Sequence, residues 1–295
     1  MQFTSLKWMC VVLTSSLVGC SQITPLPEHQ VALSQTYPLQ TQGNYQVLSW
    51  DNYVNDQQLI NLVDLALVSN QDLKIASLRI HEAQAAYGIQ RAELFPNIGG
   101  NAGMERNHVP ADLSYVGREM TTSQYSVGLG MNQWELDLWG RIRSLNEAAL
   151  QQFFAVESNV QAVRNSLIQQ TVLSYLTLSE LDKRIYFAQR SVQNYEKSVR
   201  LFKRRYEVGA SSKVEYMQAK TMLSNGQALV TQLEKSRALT ANYLVQLVGQ
   251  PTSLHQTDLD QVTFKTGVLH TGLPSDLLLN RADIRASEAM LKSKH

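Results

Sequence analysis

The chain has 295 residues, with 26 basic and 25 acidic side chains giving a net charge of +1, and only two cysteines. That balance gives no support to a nucleic-acid surface, which needs a localised excess of basic residues. Cys10 lies in the first apolar run, WMCVVLTSSL over 8–17, so removal of that run leaves Cys20 alone and excludes an intrachain disulfide. The run follows Lys7 and is too short for a stable membrane-spanning helix, which takes about 20 apolar residues. It reads as the core of a removable signal over residues 1–19.

The run ends in Leu17-Val18-Gly19-Cys20, which resembles the lipobox of bacterial lipoproteins. In that motif signal peptidase cuts before a cysteine that carries a diacylglyceryl group. The resemblance implies a lipidated, palmitate-bearing Cys20 at the mature N-terminus. A chance cysteine beside an ordinary cleavage site is the alternative. Ser21 follows, where an aspartate would resemble the inner-membrane retention rule, so the implied destination is the outer membrane. Residues 20–55 are polar, with Pro25, Pro27 and Pro38 and no sustained period. They read as an extended arm between anchor and body.

The body starts at Asp56, a candidate N-cap. Leu59, Val63, Ala66, Leu67, Leu73, Ala76, Ile80, Ala83 and Tyr87 recur mostly at spacings of three and four, which predicts a helix over 56–94 before Pro96. Ser69-Asn70-Gln71-Asp72 offers a place to interrupt and recap it. A second helix is predicted over 141–207, a stretch without proline or glycine, about 100 Å long at 1.5 Å per residue. Its stripe includes Leu145, Ala149, Val156, Val160, Val163, Leu167, Val172, Tyr175 and Leu178. The turn Val208-Gly209-Ala210-Ser211-Ser212 leads into a third helix over 213–248, and Gly249-Gln250-Pro251 stops it. Two long helices joined by so short a turn predict an antiparallel coiled hairpin with its tip at 208–212.

Between the first two helices, residues 96–135 read as a β-hairpin. Ile98, Gly100, Ala102 and Met104 fall on one side of the first strand. Along 124–132, Tyr125, Val127, Leu129 and Met131 face one way, while Gln124, Ser126, Gly128, Gly130 and Asn132 face the other. Each strand approaches the 9–11 residues that cross an outer membrane when tilted, with the apolar set facing lipid and residues 105–123 as the loop. A soluble hairpin with one buried face is the alternative. In WELDLWGRIR over 134–143, Trp134 and Trp139 suit anchors at a membrane interface, and Glu135 and Asp137 suit capping or pairing with Arg141 and Arg143.

A short internal similarity follows. Asp72-Leu73-Lys74 matches Asp283-Ile284-Arg285, each after a leucine-rich segment and an asparagine. After a linker over 252–276, residues 277–295 read as the start of a second repeat. Together N70-Q-D-L-K, R91-A-E-L-F-P-N-I, W134-E-L-D-L-W-G-R-I-R, Y206-E-V-G-A-S-S-K-V-E, L247-V-G-Q-P and L277-L-L-N-R-A-D-I-R resemble the outer membrane factor family. These are the TolC-like exit ducts of RND-type multidrug efflux systems, and the lipoprotein branch is the nearest in pattern. Gln71 and Ala282 depart from it where the family often has proline.

The resemblance implies a mixed α/β membrane protein in which long α-helical coiled hairpins form a periplasmic tunnel wall and each repeat adds a two-strand transmembrane β-hairpin, here truncated after the first repeat. It implies a homotrimer of full-length subunits, an outer-membrane location, and docking of a periplasmic adaptor (membrane fusion) protein at Val208, Gly209, Ala210, Ser211 and Ser212. An inner-membrane pump would drive transport, and the duct would be passive. Residues that narrow the periplasmic end would lie in the second repeat. A lipoprotein adaptor or coiled-coil scaffold and an inactive truncated fragment are the alternatives. No enzyme is expected, nor any metal or cofactor. The six histidines form no close ligand pair, and His81 beside Glu82 lacks the HExxH spacing.

Overall fold

Asp56 opens the body by capping. Its Oδ1 accepts the N–H of Gln58 at 2.8 Å and of Leu59 at 3.2 Å, starting α1, Gln57–Ser69. The computed structural model describes residues 50–131, 134–254 and 275–294. The signal, Cys20, almost all of the arm, Asn132 and most of the linker lie outside the described residues. The helix expected over 56–94 is divided at Asn70, whose extended backbone (φ −60°, ψ 129°) separates α1 from α2, Gln71–Ala92. The strands are β1, Ile98–Val109, and β2, Met120–Met131. Then come α3, Arg141–Glu207, and α4, Lys213–Val248, and, after a 3-10 turn over Ser275–Asn280, α5, Ala282–Lys294.

The described residues fall into two compact units, one drawn from 81–156 and 287–294, the other from 50–80 and 157–286. In the second unit the core joins Leu59, Val63 and Ala66 of α1 and Leu73 and Ala76 of α2 to Val160, Leu167, Tyr175 and Leu178 of α3 and Leu244, Leu247 and Val248 of α4. Tyr175 is buried, and its hydroxyl donates to Asp56 Oδ2 at 2.6 Å, tying the α1 cap to α3. Burial and that bond push the phenol well above its usual range. Buried hydroxyls on α3 are satisfied within the helix: Thr171 donates to the Leu167 carbonyl (2.8 Å) and Ser179 to that of Tyr175 (3.0 Å). Polar residues can therefore sit in the packed stripe.

Helices α3 and α4 run antiparallel, as their cross-helix partners show. Tyr243 meets Gln170 at 2.8 Å, Asp182 pairs with Arg237 through two nitrogens, and the Tyr195 ring lies against Gly226. A Cβ at Gly226 would stand 3.0 Å from that ring, so the small residue permits the close approach. A second small core of Leu181, Ile185, Ala188 and Leu233 fills the middle of this hairpin.

In the first unit β1 and β2 pair antiparallel along their whole length, from Ile98 opposite Met131 to Val109 opposite Met120. The strands thus continue through residues expected in the loop, and the connection shortens to 110–119. Directly opposed residues share a face. Ile98, Ala102 and Met104 therefore join Met131, Val127 and Tyr125, with Gly100 opposite Leu129. The other face carries Asn101, Glu105, Ser126 and Gln124.

The expected class, a mixed α/β membrane protein with a transmembrane β-hairpin, is corrected by this architecture. The described chain is mostly α-helical with one small two-stranded sheet. That sheet is an open ribbon, because each strand pairs only with the other, and two strands leave two unpaired edges. Among the described residues no helix is long and apolar enough to cross a membrane.

Candidate functional site

The tip of the α3–α4 hairpin is built from local backbone chemistry. Helix α3 ends in two bonds that close its last turn: the Ala210 N–H donates to the Arg205 carbonyl (2.7 Å) and the Gly209 N–H to that of Tyr206 (3.0 Å). This pairing needs a left-handed residue, and Gly209 supplies it with φ +73°. Ser212 then caps α4. Its Oγ accepts the Glu215 N–H at 3.2 Å while Glu215 Oε2 accepts the Ser212 N–H at 2.9 Å, a reciprocal capping box. The Ser211 hydroxyl also donates to Glu215, and together these bonds hold its carboxyl below the usual carboxylate range.

Tyr206 and Tyr216 stack across the turn with centroids 6.1 Å apart and planes 12° from parallel. Val208, Gly209 and Ala210 are exposed at the apex, while Ser211 is half-buried. The first turns of α4 present an open groove of about 770 Å³ lined by Lys213, Val214, Met217, Gln218, Thr221 and Met222. Sequence reasoning found the turn and missed both the tyrosine stack and the groove. Their signal was present in Tyr206, Tyr216 and the pair Met217 and Met222, but which of these meet depends on the register of the two helices.

A second constellation joins α1, α2 and α4. Asn70 is buried; its Oδ1 accepts the Leu73 N–H at 2.9 Å and its Nδ2 donates to the Leu247 carbonyl at 2.9 Å. One amide thereby caps the start of α2 and satisfies a carbonyl in the last turn of α4, which has no partner within its helix. Gly249 ends α4 at φ +78°, and a Cβ there would lie 2.6 Å from the Ser69 carbonyl oxygen. Two of the sequence motifs, N70-Q-D-L-K and L247-V-G-Q-P, are thus the two halves of one joint.

At the base of the ribbon Glu135 pairs with Arg141 through both carboxylate oxygens. The hydrogen bond from Arg141 holds the Glu135 carboxyl below its ordinary value. Asp137 accepts the Arg143 N–H at 2.9 Å and its Nε at 3.3 Å, helping to start α3. Both acids have structural partners. Trp134 lines an open cleft of about 1050 Å³ with Phe95, Pro96 and Arg141, and Trp139 stands exposed. Tyr125, Val127, Leu129 and Met131 are 61–87% exposed on the apolar face of the ribbon. His81 is exposed, and among the described residues no group of three His, Cys, Asp or Glu is placed to hold a metal ion.

Residues 62–250, from α1 to the glycine stop of α4, match the family described as outer membrane efflux protein. The chain belongs to that family. It is 34% identical over 249 residues to the probable efflux pump outer membrane protein TtgC of Pseudomonas putida, covering 83% of this chain and 51% of that protein. It is 32% identical over 302 residues to the solvent efflux pump outer membrane protein SrpC of the same species, covering 99% and 63%. Among solved structures it is similar to CusC, with a TM-score of 0.77 at 26% identity over 93% of this chain and 62% of that one. The open-state MtrE outer membrane channel of Neisseria gonorrhoeae gives 0.72 at 29% identity, over 92% and 60%. The chain spans between half and two thirds of the length of these relatives. The family match encloses both halves of the Asn70 joint and the whole hairpin tip.

Proposed function

We propose that the chain forms part of the wall of an outer-membrane exit duct in a tripartite efflux system. The observation that carries this reading is the α3–α4 hairpin, closed by a doubly capped tip, within a family whose named members are efflux-pump outer membrane proteins. The duct is passive, and an inner-membrane RND-type pump supplies the work through a periplasmic adaptor. The adaptor docks at residues 208–212, where a rigid turn exposes Val208, Gly209 and Ala210. Subunits assemble as homotrimers with their helices in the periplasm. The reading is tested by drug retention in cells that lack their own duct: the chain, joined to a second repeat, lowers retention only when pump and adaptor are present.

Two further parts of the proposal have their own tests. The mature chain starts at Cys20 and carries lipid, which the motif Leu17-Val18-Gly19-Cys20 supports. Intact-mass measurement should find an acylated Cys20; an unmodified N-terminus elsewhere removes the lipoprotein assignment. The apolar ribbon face is covered by outer-membrane lipid in the assembled protein, since a two-stranded ribbon is marginal in water without a covering for that face. Val127→Arg or Leu129→Arg should then reduce the yield of membrane-associated protein far more than Ser126→Arg. Gly128 is a poor control, because a Cβ there would meet Asn101 Oδ1 at 2.7 Å. Equal losses from both faces would refute the lipid-facing assignment.

A further inference from the structure

The hairpin tip is basic although the chain is nearly neutral. Lys197, Arg200 and Arg204 stand exposed near the end of α3, at spacings of three and four that place them along one face. Lys213 and Lys220 are exposed at the start of α4. Of the neighbouring carboxylates, Glu207 lies 3.8 Å from Lys203, Glu215 is held in the capping box, and Glu196 stands one turn before Arg200, so the cations around the turn outnumber the acids. Among the described residues Arg200, Arg204 and Lys213 have no ion-pair partner.

Helix stability accounts for only part of these charges. Arg204 in the last turn of α3 suits the negative end of the helix dipole, but Lys197 and Arg200 lie beyond that turn. Lys213 is the first residue of α4, where the dipole favours an anion. It also lines the groove whose floor is Val214, Met217 and Met222, with Val214 64% and Met222 57% exposed. An apolar groove with Lys213 in its lining, at the end of a hairpin whose other helix carries Arg200 and Arg204, fits an apolar ridge accompanied by carboxylates.

We propose that the tip selects a helical protein partner whose contact surface is acidic around an apolar ridge, with Arg204 and Lys213 reading the charge. This rests on the adaptor-docking reading above and adds the chemistry of the docked face. Charge of this kind sets encounter rate and partner choice more than the final packing.

The test uses the full chain and three disulfide-closed two-helix peptides that share a leucine ridge and carry Glu, Gln or Lys beside it. Binding is followed by fluorescence anisotropy. At low salt the Glu peptide should bind about ten-fold more tightly than the Gln peptide, and the advantage should vanish near 1 M salt, where screening acts within about 3 Å. Arg204→Glu with Lys213→Glu should reverse the order of the Glu and Lys peptides. Arg204→Gln with Lys213→Gln should flatten it, with helix content unchanged by circular dichroism in both variants. Equal binding of all three peptides overturns the charge reading and leaves docking at the tip standing. Binding of none overturns both. Tighter binding of phosphatidylglycerol vesicles or of a single-stranded oligonucleotide than of the Glu peptide also overturns the proposal, since the patch then serves a different anion.

Discussion

Gly249→Ala is expected to destabilise the protein by about 2–4 kcal/mol, the largest effect expected of a methyl added at the described glycines. Two costs combine. A non-glycine residue in the left-handed region costs roughly 1–2 kcal/mol. The new Cβ also meets backbone on the opposite side, 2.6 Å from the Ser69 oxygen and 3.1 Å from the Asn70 Cα, so no side-chain rotation relieves it. Gly209→Ala separates the two. It has nearly the same φ, +73° against +78°, and nothing within 4 Å of its Cβ, so only the conformational cost of roughly 1–2 kcal/mol applies. Urea unfolding of the two variants in detergent should show the larger shift at Gly249. Equal shifts would mean that the α1 end and the α4 stop are not in contact.

The second large effect is expected at Asn70. Asn70→Ala removes the cap of α2, worth about 1 kcal/mol, and leaves the Leu247 carbonyl unpaired in a buried place, costing about 1–3 kcal/mol more. Asn70→Asp separates the halves of the loss. It keeps an acceptor for the Leu73 N–H but turns an oxygen toward the Leu247 carbonyl, so its ionised form is disfavoured by burial and by that dipole. The folded-state pKa of the introduced acid is therefore raised. Its protonated form can donate to Leu247, so the variant should be most stable at acid pH and lose stability as pH rises through that raised value. A stability of Asn70→Asp that matches the unsubstituted protein at every pH, with the whole loss confined to Asn70→Ala, would show that the bond to Leu247 contributes nothing.

The parts of the fold that were legible in the sequence are those set by neighbours in the chain. A stretch free of proline and glycine, then Gly209 and Ser212, then Gly249 and Pro251, marks α3, the turn and α4 without reference to anything distant. The two faces of β2 follow from strict alternation in the same way. The extension of both strands through 105–109 and 120–123 was not legible, because Glu105 opposite Gln124 and Asn107 opposite Thr122 pair by backbone bonds and show no apolar alternation. The division at Asn70 was legible in part: Ser69-Asn70-Gln71-Asp72 offered a place to recap the helix, and Asn70 does cap Leu73, but its bond to Leu247, 177 residues away, left no local sign.

The fold class was misread for a related reason. A strand length that suits a tilted membrane crossing says nothing about whether the ribbon closes, and in this chain it stays open. Charge at the tip was hidden by averaging. Lys197 to Arg205 is visibly basic, while the total of +1 describes only the whole chain and gave no support to a nucleic-acid surface. The pairing of Asp182 with Arg237, which ties the middle of the hairpin, needed the helix register and left no local sign.

The proposed role as an exit duct is most directly tested by dye retention in cells deleted for their own outer-membrane duct. The chain is joined to the second repeat that the family resemblance implies and expressed beside an inner-membrane pump and its adaptor, with strains lacking either partner as controls. A passive duct predicts that retention falls to the level of cells with an intact duct, and that the fall disappears when pump or adaptor is removed. Unchanged retention with all three components present, from protein shown to reach the outer membrane, would contradict the account, as would a fall that persists without the pump.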